Sequence, residues 1–393
     1  MAVVHDWFTE YYGSERVVEE MLRCFPEADL FALVDFLPAE RRSFLMDKPV
    51  HTSLIQKLPW SRRNLRLYLP FMPLTVEQFD LSGYDIVLSS SMAFAKGVLT
   101  GTNQLHIAYV HSPIRQGWEY QHVYLREIGL SWGLRSLVVR QLLHRLRLWD
   151  VRTANGVDHF VANSHFIRRR IDKVYRRNAA VIHPPVDVAS FTVRREKDDF
   201  YLAVTRFDPD KRPDILLDAF ATLTDRRLIV VGGDTGGKAI RRRAPANVTI
   251  LPWQSAAALR DLLGRARAVL VAAEDDFGLA QVEAQASGTP VIAFAGGGSL
   301  ETVSGLGAAE PTGVFFDDQT ADSLIEAIHR FEQHGGAITP DNCRRNAERF
   351  DRQVFRRAFF ELVSDAWTAH VDRLAEGLGP VDATLSNMTK VSP

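Results

Sequence analysis

The stretch Glu274-Asp275-Asp276-Phe277-Gly278-Leu279-Ala280-Gln281-Val282-Glu283-Ala284-Gln285-Ala286-Ser287-Gly288-Thr289-Pro290 decides the reading of this chain. It carries two acids, Asp275 and Glu283, eight positions apart, with a Phe-Gly turn between them. A helix follows the turn, Gly288-Thr289-Pro290 stops it, and the apolar run Val291-Ile292-Ala293-Phe294-Ala295 reads as a buried strand. Asp275 falls in the loop before the helix. Glu283 falls in its first turns, where side chains lean toward the helix N-terminus. Both carboxylates then face one cleft, beside free backbone N–H groups at a positive helix end. Carboxylates for hydroxyls and a helix end for phosphate suit a sugar nucleotide.

Outward from this stretch, short apolar strands alternate with helical patterns, the signature of parallel α/β units. Ala2–Val4, Leu30–Val34, Ile86–Ser89, His106–Tyr109, Phe160–Ala162 and Val181–His183 form one series of expected strands. Tyr201–Val204, Leu228–Val231, Val248–Leu251, Ala268–Ala272 and Pro290–Phe294 form a second. The polar stretch Val193-Arg194-Arg195-Glu196-Lys197-Asp198-Asp199 reads as the linker between them. The pattern predicts an α/β protein of two Rossmann-like domains, residues 1–190 and 191–349, facing each other across a cleft at the carboxyl ends of their strands. Residues 350–370 read as an amphipathic helix with Phe355, Phe359, Leu362 and Trp367 on one side, and residues 371–393 as a flexible tail.

Composition bounds the function. The chain has 393 residues, 46% hydrophobic and 24% charged, with a net charge of −1, which offers no case for nucleic-acid binding. Cys24 and Cys343 lie far apart and suggest a reducing compartment and no metal cluster. Residues 1–6 run straight into a strand, so no signal peptide is expected, and no apolar run is long enough to span a bilayer.

Several loops carry chemistry. Val204-Thr205-Arg206-Phe207-Asp208-Pro209-Asp210-Lys211 follows a strand, and its cations Arg206 and Lys211 suit a diphosphate whose charge grows as it leaves. Asp208-Pro209-Asp210 resembles a metal-binding triplet but reads as turn chemistry, because the flanking cations would repel a divalent ion. Gly232-Gly233-Asp234-Thr235-Gly236-Gly237-Lys238-Ala239 nearly matches a P-loop. Ala239 stands where the magnesium-binding hydroxyl belongs, so it reads as a loop at the cleft. Gly296-Gly297-Gly298-Ser299 is either an anion cradle or a plain turn with Ser299 as helix cap.

In the first half, Gly13 in Tyr12-Gly13-Ser14-Glu15-Arg16 lets a phosphate approach a helix start, with Ser14 as a candidate cap. His111, at a strand end, is placed to hydrogen-bond a reacting sugar. Residues 125–152 interleave Arg135, Arg140, Arg145, Arg147 and Arg152 with Leu, Val and Trp, and Arg62-Arg63 precedes Leu67-Tyr68-Leu69-Pro70-Phe71. Such segments suit peripheral contact with an anionic membrane, although a core-packed helix with a solvated basic face shares the pattern.

These residues resemble glycosyltransferase family 4, retaining transferases of the GT-B fold. The resemblance runs from His5-Asp6-Trp7 to the helix near Trp367, and its most specific parts are Arg206…Lys211 and Phe277-Gly278-Leu279…Glu283-Ala284…Gly288-Thr289-Pro290. The family's acidic motif usually has Glu at both ends with seven residues between; here the first acid is Asp275. The resemblance implies that Arg206 and Lys211 bind the donor diphosphate and that Glu283 holds the ribose. It places Asp275 and the backbone near Phe277, Gly278 and Leu279 at the transferred sugar, His111 beside the reacting carbon, and Pro252-Trp253 near the base. It further implies GDP-mannose as donor, no metal or other cofactor, a lipid-linked or oligosaccharide acceptor in cell-surface polysaccharide assembly, and a cytoplasmic site, at the inner membrane if the basic segments dock there. A nucleotide-sugar epimerase of the same fold and a non-catalytic glycan- or nucleotide-binding partner are the competing readings.

Overall fold

The computed structural model describes residues 1–233 and 237–378. Among these, thirteen strands form two all-parallel sheets. The first holds β1 (Ala2–His5), β2 (Asp29–Ala32), β3 (Val50–Thr52), β4 (Ile86–Ser91), β5 (Leu105–Val110), β6 (His159–Ala162) and β7 (Ala179–Val181), in the order β3-β2-β1-β4-β5-β6-β7. The second holds β8 (Tyr201–Val204), β9 (Leu228–Val231), β10 (Val248–Leu251), β11 (Ala268–Val271), β12 (Val291–Phe294) and β13 (Gly313–Phe316), in the order β10-β9-β8-β11-β12-β13. In both sheets the first strand lies inside and the order reverses beside it. That reversal opens a crevice at the carboxyl ends of the strands. β1, β4, β5 and β11 are buried along their whole length, as strands covered by helices on both faces must be.

β3 and β13 were not expected. Each is an outermost strand, one three residues long and the other opening on Gly313, too little apolar pattern to register. β7 lies two residues before its expected place, which frees His183 to turn toward the second domain. The glycine-rich segment from Gly232 leads into a helix at Gly237, and its residues 234–236 lie outside the described residues.

Five helices position the site: α1 (Gly13–Cys24), α2 (Leu134–Thr153), α3 (His165–Tyr175), α4 (Leu279–Ala286) and α5 (Arg352–Leu378). The chain crosses between sheets at two adjacent points, joined where Val186 N–H donates to the Phe350 carbonyl at 2.9 Å and Arg352 N–H to the Val186 carbonyl at 3.1 Å. Beyond the second crossing, α5 returns to the first domain. Phe355, Phe359, Val363 and Ala366 enter its core, Phe25 stacks on Phe360 with ring centroids 5.7 Å apart, and Arg356 pairs with buried Glu20. Burying each large side chain contributes about 1.5–3 kcal/mol, so this strap stabilises the arrangement strongly. α5 continues to Leu378, past the point where fraying was expected, and residues 379–393 of the expected tail lie outside the described residues.

Candidate active site

On the second domain, Lys211 Nζ donates to Asp275 Oδ1 at 2.7 Å. Burial pulls the lysine's pKa down, but the adjoining Asp275 and Asp210 carboxylates raise it further, so it stays above its ordinary value and charged. Arg206 lies apart, at the exposed rim, with Nε 3.2 Å from Asp208 of its own loop. Gly278, with φ +95°, caps α4 in a conformation that favours glycine, and so turns the chain from Asp275 into the helix. The Phe277 ring is buried between His183 and Phe350, centroids 5.5 and 5.4 Å away, so it belongs to the hinge core. Gly298 N–H donates to the Asp275 carbonyl at 2.7 Å, and its own residue caps the short helix. The glycine run is thus a turn propping the acidic loop. Ser299 is not the cap; its buried hydroxyl accepts from Gln281 at 2.9 Å.

On the first domain, a Cβ on Gly13 would stand 2.5 Å from Leu279 Cδ1, so α1 approaches α4 closely here and a larger residue would have to push the Leu279 methyl aside. Tyr12 and Trp253 face each other across the cleft, ring centroids 6.2 Å apart. The helix cap is Tyr12 rather than Ser14: Glu15 turns back to accept from Tyr12 N–H at 2.9 Å and from Ser14 Oγ at 3.0 Å. Its other oxygen lies 3.4 Å from His5 Nε2. His5 Nδ1 lies 3.1 Å from the Ser90 carbonyl, and Ser90 Oγ 2.9 Å from His111 Nε2. This buried series orients His111. Burial, then the neighbouring His5, pushes the His111 pKa down to about 3, so the imidazole is neutral near pH 7. It can offer a hydrogen bond there but no charge.

Three contacts across the cleft were not anticipated. Arg16 Nη1 reaches Glu283 Oε1 at 2.6 Å. Arg170 and Arg115 approach Asp276 Oδ1 at 3.2 and 3.9 Å. Burial raises the Asp276 carboxyl above its usual range although both arginines oppose it. Glu301 accepts from His165 and Phe166 N–H at 2.8 and 2.9 Å, crossing over to the start of α3. Arg16 was visible beside Gly13, one turn along α1, but its partner is far away in sequence.

Residues 11–190 match the domain model for Glycosyltransferase Family 4, and residues 189–350 match that for Glycosyl transferases group 1. Each half of the chain thus matches a glycosyltransferase domain model. The chain is 32% identical to a D-inositol 3-phosphate glycosyltransferase of Mycolicibacterium vanbaalenii over 38% of its own length and 41% of the relative's. It is 28% identical to the enzyme of that name from Mycobacteroides abscessus, over 63% and 55%. It thus spans about half the length of these curated relatives. Among solved structures, HepE of Anabaena with UDP and glucose superposes with a TM-score of 0.66 at 18% identity, covering 92% of this chain and 99% of HepE. Sucrose-phosphate synthase of Thermosynechococcus elongatus superposes at 0.70 and 17%, covering 94% and 100%. These likenesses establish the GT-B fold that the resemblance implied, with the two domains that the strand pattern predicted. In that fold Lys211 pairs with Asp275, Gly13 lies against Leu279, Glu283 meets Arg16 and Trp253 faces Tyr12 where the two domains meet, while His111 is held within the first domain by Ser90. Arg206 stands at the exposed rim, and the Phe277 side chain in the hinge core.

Proposed function

We propose that this chain is a retaining glycosyltransferase that moves a hexose from a nucleoside diphosphate sugar to an acceptor hydroxyl. The carrying observation is the Lys211–Asp275 pair at 2.7 Å, with Glu283 on the adjoining helix paired to Arg16 of the first domain. Lys211, with Arg206 swinging in from the rim, balances the diphosphate's charge, and no metal takes part. Glu283 accepts from the ribose hydroxyls and Asp275 holds the transferred sugar. The anomeric C–O bond breaks and its electron pair leaves with the nucleoside diphosphate. The acceptor oxygen bonds the same face of the anomeric carbon, and its proton passes to the departing phosphate. Closure of the cleft excludes water, which would otherwise take the acceptor's place. The sequence resemblance favours GDP-mannose as donor; HepE, a structural neighbour, holds UDP-glucose. Mixing purified protein with each of these donors and following release of the nucleoside diphosphate tests the proposal. Release from neither, with or without lipid and sugar acceptors, would sink it.

The acceptor side of the proposal is a lipid-linked or oligosaccharide acceptor at the cytoplasmic face of the inner membrane. Among the described residues no helix is long and apolar enough to cross a membrane. Trp132, Leu134, Leu137 and Val138 of the α2 region are nevertheless exposed beside exposed Arg135, and Trp60, Leu67, Phe71 and Leu74 are exposed beside Arg62, Arg63 and Arg66. The second segment packs Leu65, Tyr68, Leu69 and Met72 on an apolar cluster of the first domain that Leu146 and Trp149 of α2 also enter. Exposed rings and leucines among arginines are what an anionic surface binds. Co-sedimentation with vesicles containing anionic lipid, lost on Trp132→Ser with Leu134→Ser, supports the membrane reading; no sedimentation with wild type removes it.

A further inference from the structure

Glu283 has one side-chain partner among the described residues, and it comes from the opposite domain. Arg16 Nη1 sits 2.6 Å from Oε1. The Arg16 side chain is about one-third exposed, at 30%, so it stands at the wall between the domains. Its neighbours are set to keep it charged and aimed. Glu283 raises its pKa more than burial lowers it, and Tyr11 and Glu19 add to the effect. The pair borders a cavity of about 230 Å³, shared with Arg260 and Leu259 of the second domain and Glu20 of the first. Gly13, one turn earlier on α1, lies against Leu279 at the start of α4, so the two helices meet closely enough to hold the pair in place.

We propose that Arg16 is a positioning residue for ribose recognition: it holds Oε1 of Glu283 so that Oε2 faces the vicinal hydroxyls of the nucleotide, and it does so only when the two domains are together. The inference rests on the reading that Glu283 grips ribose. A free glutamate loses rotamer entropy when it binds a hydroxyl; one already held by a guanidinium has lost it beforehand. The pair spans the cleft, so opening the domains releases the carboxylate. Ribose recognition and closure therefore occur together, and a nucleotide without its hydroxyls binds without that coupling.

The test titrates UDP, GDP and their 2′,3′-dideoxy counterparts into wild type, Arg16→Ala, Arg16→Lys and Glu283→Ala by calorimetry. Wild type should prefer the ribonucleotide by roughly tenfold or more, the worth of a hydrogen bond to a charged group. Arg16→Ala should lose most of that preference while still binding the dideoxy nucleotide like wild type, and Arg16→Lys should keep part of it. Arg16→Gln, which retains a polar stem, stands in if Arg16→Ala does not fold. A preference unchanged or increased without Arg16, but lost in Glu283→Ala, overturns the role of Arg16 and leaves the ribose reading intact. A preference that survives Glu283→Ala overturns both, as does wild type binding none of the four.

Discussion

Asp6 and Asp275 each lie just beyond the carboxyl end of a central strand, one in each domain, and differ in what they bind. Asp6 is fully buried: Oδ1 accepts from Phe94 and Ala95 N–H, both at 2.7 Å, and Oδ2 from Ala93 N–H at 2.9 Å and from Met92 N–H. A carboxylate has about four lone-pair sites, and here all are taken. Asp275 has a single side-chain partner among the described residues, Lys211. The same contrast separates Glu15, engaged by Tyr12, Ser14 and His5, from Glu283, which has Arg16 alone. A saturated carboxylate holds backbone in place. One with spare lone pairs in a cleft is available to a ligand.

The largest effect that could break this contrast is on turnover. Lys211→Ala should lower glycosyl transfer on the order of 10²–10³-fold, as loss of one preorganised charge at a developing anion does. Its melting temperature should stay close to wild type, because only Asp275 is left unpaired and partly solvated. A melting point that falls as far as the activity would make Lys211 structural. Asp6→Ala should do the reverse. It strands four N–H groups, those of Phe94 and Ala95 buried and those of Met92 and Ala93 partly so, and at about 1–3 kcal/mol for each buried group denaturant unfolding should show a loss of several kcal/mol. Unchanged stability there would remove the distinction.

The sequence made part of this legible. Buried parallel strands are continuous apolar runs, and in the second domain the cations share one strand-end loop while the acids and the Phe-Gly turn share one short stretch of sequence. Asp275, Glu283, Lys211 and the glycine turn could therefore be read locally. Edge strands such as β3 left too little pattern. Arg16–Glu283, Arg115–Asp276 and the series Glu15–His5–Ser90–His111 join residues from distant elements, and nothing in their spacing marks them. Ser14 and Ser299 were plausible caps by residue type. Glu15 turned back on the first helix start, and Gln281 bonded Ser299 in the core.

Protonation offers a smaller effect. His111 and His106 are held neutral, with pKa values pushed down to about 3 and about 4, mainly by burial. Their unfolded values lie near 6.5, so between pH 6.5 and about 4 the unfolded chain binds more protons than the folded one. The stability they contribute is complete above pH 6.5 and is lost as the pH falls through that window. His111→Gln should flatten part of this dependence in unfolding experiments between pH 7 and 4; an unaltered slope would mean that His111 is not held neutral. The smallest effect expected is from Asp275→Glu. One added methylene keeps the charge beside Lys211, and transfer should stay within about tenfold of wild type, as a single displaced hydrogen bond allows. A complete loss would mean that the shorter acid is demanded by the sugar.

The most direct measurement is calorimetric titration of GDP-mannose and UDP-glucose into wild type and Lys211→Ala. Saturable binding of at least one donor by wild type, weakened at least roughly tenfold in the variant as expected for a lost charged hydrogen bond, is the predicted result. No binding of either donor, or equal binding by the two proteins, would contradict it.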